Sequence, residues 1–326
     1  MRKNFIFLAL AVVTSFVLYA LGANELSKPI SITENTTLII KKGQSTSQIA
    51  AQLIKQGIIP NSLGFFIGVI FLKLKNKFLK HGEYLLEPNQ RLWLMIQKIV
   101  AGDVVVHYLT IPEGLTVYEI SKKLDDVTIL TGAIERLPPE GTLLPETYDY
   151  YYGDSRQHIM QRMAKAMEKL KSVAWAQYQS GCFLKSWDEV LALASIVEKE
   201  TALAAERDLV ASVYLNRLRI NMPLQADPTV IYAATNGQTS FYRPIFKSDL
   251  IAESPYNTYL RKGLPPTPIA CPGQASIMAV LKPASTAYLY FVASGDGGHE
   301  FSCDLKTHNQ NVRSWRAVEK EKKARL

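Results

Sequence analysis

The longest apolar run comes first. Phe5 to Ala23 is nineteen residues without a charge, preceded by Arg2 and Lys3. At about 1.5 Å per residue, a helix of that length just crosses the hydrocarbon core of a bilayer. The leading cations favour an N-terminus held in the cytoplasm, with everything after Asn24 outside. A cleaved signal peptide is the competing reading. The run is long for one, and Leu21-Gly22-Ala23 puts a bulky residue where a small one is wanted. Residues 1–24 therefore read as a cytoplasmic N-terminus and a retained transmembrane anchor. No later run is long enough to span: Leu63 to Leu72 is apolar, but Lys73 ends it.

Beyond the anchor the pattern alternates between short strands and amphipathic helices, and one local pattern occurs twice. Gly43-x-Ser45-x-x-x-Ile49-Ala50-x-x-Leu53 recurs as Gly114-x-Thr116-x-x-x-Ile120-Ser121-x-x-Leu124. In each copy a strand (Thr37 to Ile40; Val104 to Ile111) runs through a glycine turn into a helix. Each helix opens on a capping box, Ser45 with Gln48 and Thr116 with Glu119. The Ile and Leu four apart then share a buried face. Small strand–helix–helix–strand units of this kind resemble LysM glycan-binding modules, and 35–105 is the candidate segment; a spacer that binds nothing fits the same pattern. Residues 106–140 hold the second copy and a linker at Pro138-Pro139-Glu140-Gly141. Residues 141–326 form the remaining domain, so the expected class is α+β.

Composition narrows the function. With 326 residues the prior is about two domains, and 48% apolar residues exclude a disordered chain. The net charge of +8 suits an anionic polymer or a membrane surface. No basic stripe interleaved with aromatics argues for nucleic acid. Cys182, Cys271 and Cys303 are too few for a disulfide scaffold and lack zinc-site spacing; at most one pair can form. Leu143 to Tyr152 packs four tyrosines and two carboxylates into ten residues, the contents of a saccharide groove or of an ordinary strand with tyrosines on one edge.

A third capping box, Ser186 with Glu189, opens a helix that runs to Glu200. At about 100° per residue its apolar stripe is centred near Glu200, with Glu198 about 160° away. Glu200 thus ends the helix on its buried face. Burial raises a carboxyl pKa, and the negative end of the helix dipole acts in the same direction. A glutamic acid that stays protonated near neutral pH can protonate a glycosidic oxygen. Pairing with Arg207 or Arg217 is the structural alternative.

Ala194-Ser195-Ile196-Val197-Glu198-Lys199-Glu200-Thr201 resembles the signature of the endolytic murein transglycosylases, the YceG-like family. Other blocks agree in order and spacing: Val210 to Leu218, Leu224 to Tyr232, Ser254 to Tyr259, Gly263 to Pro266, Tyr288 to Val292, and Gly298-His299-x-Phe301. Thr267 and Cys271 depart from the family pattern. The resemblance implies cleavage of the β-1,4 bond between N-acetylmuramic acid and N-acetylglucosamine within nascent glycan strands. Such a cut leaves a 1,6-anhydro-muramyl end and terminates elongation. It also implies Glu200 as the essential residue, no metal or cofactor, and a single-pass protein of the inner membrane with its catalytic domain in the periplasm. Peptidoglycan synthases are candidate partners.

For the groove, Gln225, Asp227 and Thr229 combine donors and acceptors in a turn-forming loop, and Tyr256, Asn257 and Tyr259 mix donors with aromatics. Glu146 and Tyr148 are further candidates for substrate binding. His299, His308 and Asp304 invite a metal reading, but their spacing fits no helical pair, and a structural role is expected. The basic stretch Arg313 to Arg325 reads as a solvated helix. The rival function is a non-catalytic, membrane-anchored peptidoglycan-binding adaptor.

Overall fold

A computed structural model describes residues 20–239 and 241–324. Most of the expected anchor, through residue 19, lies outside the described residues. Residues 20–27 are helical (α1). Among the described residues no helix is long and apolar enough to cross a membrane. The fold is mixed α+β with small sheets, and the chain divides into two compact units.

The first unit comprises the chain to His107 together with Asp149–Asp154. Strands β1 (Thr36–Ile40) and β2 (Gly82–Leu86) pair antiparallel, with Leu38 opposite Tyr84. Period-two alternation puts Leu38, Ile40, Tyr84 and Leu86 on one buried face. Between the strands lie α2 (Thr46–Lys55) and α3 (Leu63–Lys73), followed by α4 (Leu92–Ala101) after β2. Ile49, Leu53, Phe65, Met95 and Ile99 complete the core. Gly82 is required by close approach: a Cβ there would lie 2.4 Å from Val104 Cγ1.

The second unit comprises Tyr108–Tyr148 and everything from Ser155 on. Strand β3 (His107–Thr110) and strand β4 (Thr147–Tyr150) form a two-stranded sheet, and α5 (Val117–Asp125) follows β3. Both capping boxes of the repeated pattern form with their reciprocal hydrogen bonds. They differ in use: the Thr116 hydroxyl also donates to the Gly237 carbonyl, 121 residues away.

The long α6 (Arg156–Tyr178) leads to α7 (Trp187–Glu200), the centre of this unit. The third capping box is incomplete. Ser186 accepts from Glu189 N–H, but the Glu189 carboxylate accepts from Lys185 N–H at 2.6 Å. Val190 to Val197 are buried without interruption. The helix is therefore buried on all sides, not along one stripe, because α8 (Arg207–Arg219), α9 (Asp227–Thr235) and α11 (Gln274–Leu281) all pack on it. The short α10 (Lys247–Leu250) precedes α11. The antiparallel hairpin β5 (Tyr290–Ala293) and β6 (His299–Ser302) and the mostly exposed α12 (Leu305–Ala324) close the fold. All three cysteines are free thiols.

Candidate active site

Glu200 is the last residue of α7, and its position follows from how α7 ends. Thr201 leaves the helix in extended backbone, so the last turn projects at the edge of the core. The side chain keeps partial exposure while protein crowds the carboxyl. Tyr214, almost completely buried on α8, donates its hydroxyl hydrogen bond to Glu200 Oε1 at 2.6 Å. Burial is the largest influence on the carboxyl and raises its pKa. The Tyr214 hydrogen bond opposes that, Asp227 reinforces it, and His299 and Arg217 oppose it more weakly. The balance leaves Glu200 pushed up to about 7.

Neither arginine named as an alternative partner pairs with Glu200. Arg207 lies 3.8 Å from Glu198 and 3.7 Å from Glu113. Arg217 is buried, and its guanidinium donates to the carbonyls of Leu289 at 2.7 Å and Leu224 at 2.6 Å. Its charge reaches Glu200 through space while its hydrogen bonds are spent on backbone.

Glu198 departs from the helical-wheel expectation. It lies on the side of α7 away from the stripe, yet its side chain is only 5% exposed. Gly273 N–H donates to its carboxylate at 2.9 Å. The loop before α11 covers this face, which no local periodicity signals.

The expected groove residues separate into two groups. Asp227 and Gln225 are exposed, and Tyr259 donates its hydroxyl to Asp227 Oδ1 at 2.6 Å. Asp227 and Tyr259 both influence the Glu200 carboxyl electrostatically, so this pair belongs to its surroundings. Gln225 sits two residues upstream with φ +50°, its N–H donating to the Thr258 carbonyl. The second oxygen of the Asp227 carboxylate, the lone pairs of the Tyr259 phenol and the exposed Gln225 amide are groups of the kind that bond sugar hydroxyl and acetamido groups.

Thr229 and Asn257, expected to touch substrate, are buried instead. The Thr229 hydroxyl bonds the Ala226 carbonyl and Thr258 Oγ1, and Asn257 donates to the carbonyls of Leu250 and Ala252. Their polar groups are consumed inside the protein, so they shape the loops that carry Asp227 and Tyr259. Tyr256 is half-buried, bonding Thr267 at 2.9 Å with its ring 4.8 Å from Tyr232. Tyr148 is buried and donates to the Leu144 carbonyl at 2.7 Å. Glu146 is exposed, near Glu113.

The sequence did not single out Tyr214 as a partner of Glu200, and His299, expected in a structural role, also acts on that carboxyl through its charge. His299 bonds Glu206 through Nδ1 at 2.7 Å and through its backbone N–H at 2.9 Å. Burial works against charge on Glu206, but the His299 bonds outweigh it and hold that carboxyl below its ordinary range. His308 stacks on Tyr290 at 5.1 Å, and Asp304 caps α12 through Thr307, so the three groups are engaged separately.

The comparisons with known proteins agree with one another. The chain is 32% identical to an endolytic murein transglycosylase of Bacillus subtilis, across 93% of this chain and 91% of that one. It is 28% identical to a Streptococcus pneumoniae protein of the same name, spanning 57% of that longer protein. A crystal structure of a yceG-like protein from Listeria monocytogenes matches with a TM-score of 0.54 and 31% identity, over 86% of this chain and 99% of that one. The YceG-like family profile matches residues 38–314. The chain belongs to the YceG-like family.

Proposed function

We propose that this protein is an endolytic murein transglycosylase with Glu200 as its single acid/base. The observation that carries the reading is the Glu200 carboxyl itself, pushed up to about 7 and left without an arginine partner. The relatives bearing that name support murein as the substrate, and the bond we assign to the cut is the muramyl–glucosaminyl β-1,4 bond inside glycan strands.

In the reaction, protonated Glu200 gives its proton to the glycosidic oxygen as the C1–O bond breaks. The C6 hydroxyl of the same muramyl residue closes on C1, and its proton passes to the Glu200 carboxylate. The ring becomes the 1,6-anhydro end, the acid is restored, and no water is consumed. One carboxyl serves where ordinary glycosidases use two. Tyr214 holds Glu200 in place through both protonation states. The Asp227–Tyr259 pair and Gln225 bind the flanking sugars.

The chain is anchored in the inner membrane by residues 1–24, with both units in the periplasm beside the nascent strands and their synthases. The β1–α2–α3–β2 order of the first unit supports the LysM-like reading of residues 35–105.

Mass spectrometry of uncrosslinked glycan strands after incubation with the protein tests this. Anhydro-muramyl ends from the wild type and none from Glu200→Gln support it. Reducing ends would make the enzyme a hydrolase. Strands bound but uncut would leave the adaptor.

A further inference from the structure

Helix α3 is apolar on two faces. At about 100° per residue, Gly64, Phe65, Gly68, Val69 and Leu72 share one side, and all are buried. Leu63 and Ile70 lie on the other side, Phe71 sits at its edge, and Leu74 extends it. They are 59%, 58%, 44% and 80% exposed. Phe78, 60% exposed, follows just beyond. A helix facing water on that side would carry polar residues there.

Charge and position indicate what covers this face. Lys73 and Lys75 fall on its two flanks, and Lys75 Nζ lies 4.5 Å from the centre of the Phe71 ring. Lys77 comes next in the chain, whereas the Lys80 ammonium is engaged on the Ala101 carbonyl at 2.8 Å. Lysine stems that cover apolar surface while the ammonium reaches outward suit a boundary between hydrocarbon and phosphate.

The glycines of α3 set its position. A Cβ on Gly68 would lie 2.9 Å from Leu26 Cδ2, and one on Gly64 would lie 3.2 Å from Glu25 Cβ. Nearer still are Ile96 Cδ1, 2.6 Å from the Gly68 position, and Leu92 Cδ2, 2.8 Å from the Gly64 position, so the two glycines seat α3 against both α4 and α1, and α1 directly continues the apolar run Phe5 to Ala23. Phe71 also meets Trp93 edge-on at 5.8 Å, and both line a shallow apolar cavity with Gly22, Ala23 and Leu26. Tryptophan concentrates at membrane interfaces.

We propose that the outer face of α3 docks on the anionic surface of the bilayer, seated at the headgroup–acyl boundary, and so holds the first unit against the membrane. This rests on the anchor reading of residues 1–24 and is independent of the chemistry at Glu200.

The test is photocrosslinking of the full chain in nanodiscs made of phosphatidylglycerol and phosphatidylcholine in equal parts. p-Benzoylphenylalanine replaces Phe71 in one preparation and, as a control, Phe183, 45% exposed in the second unit, in another. Lipid adducts several-fold more abundant from position 71 are expected. Removal of Lys73, Lys75 and Lys77 by glutamine, or use of phosphatidylcholine alone, lowers that yield; each lysine contributes up to roughly fivefold in surface affinity. Equal yields at the two positions overturn the proposal. Adducts to another protein copy overturn it in favour of self-association. Lipid adducts indifferent to lysines and to lipid charge overturn the anionic surface as the partner. Cleavage of soluble strands by the same preparations reads the Glu200 chemistry separately.

Discussion

At the C-terminal end of α7, Glu198 meets a backbone N–H at 2.9 Å and the Arg207 guanidinium at 3.8 Å. Two residues on, Glu200 meets the Tyr214 hydroxyl at 2.6 Å, while Arg217 directs its guanidinium to backbone carbonyls. The sequence around them, Val197-Glu198-Lys199-Glu200, sets the two about 160° apart on the helix, yet both side chains are crowded by protein. Burial alone therefore does not distinguish a reactive carboxyl from a structural one. The distinction comes from what surrounds each: Glu198 has an opposite charge and a donor fixed on it, and Glu200 has one neutral donor and a neighbouring carboxylate, Asp227.

The largest effect that would break this contrast is on turnover. Glu200→Gln is expected to lower glycan cleavage by roughly 10²–10⁴-fold, the usual worth of a positioned acid. Glu198→Gln is expected to leave cleavage per folded molecule largely intact. Rates normalised to folded protein check both.

Stability against pH gives the next largest effect. Glu200 takes up its proton near pH 7 when folded and near the ordinary 4.5 when unfolded. The folded state then binds more protons between these values, so stability falls as pH rises through that window, by about 3 kcal/mol in all. Glu200→Gln removes this slope, which denaturant unfolding at pH 5 and pH 8 would show.

For Glu198→Gln the expected cost is about 1–3 kcal/mol at neutral pH, because Arg207 loses a charged partner in a covered site. Chemical denaturation of this variant beside the wild type measures it.

Tyr214→Phe should give the smallest change, with an informative sign. Its hydroxyl bond favours the charged form of Glu200, so its loss raises that pKa further. The alkaline limit of activity is expected to move upward by up to about one pH unit. A pH–rate profile reads it, and a downward move would mean that Tyr214 acts in another way.

Legibility in the sequence followed the range of the interactions. The capping boxes at Ser45 and Thr116 and the helix ending at Glu200 were readable because their partners lie within a few residues. Even there the Ser186 box formed only in part, since Lys185 N–H took the Glu189 carboxylate. Covering contacts from distant segments were not readable. Glu198 is closed in by Gly273, 75 residues away, and Thr229 is bonded to Thr258, 29 residues away. Tyr214 had a weak signal, the one aromatic residue in the run Val210 to Leu215. Polar residues in a family motif are thus as readily loop supports, like Thr229 and Asn257, as they are ligands for sugar.

The most direct test is titration of the Glu200 carboxyl carbon by NMR in protein labelled with ¹³C at glutamate, with Glu200→Gln to assign the signal. A midpoint near 7 is expected for the wild type. A midpoint at or below 4.5 would mean that Glu200 is a carboxylate at neutral pH and cannot be the acid that opens the glycosidic bond.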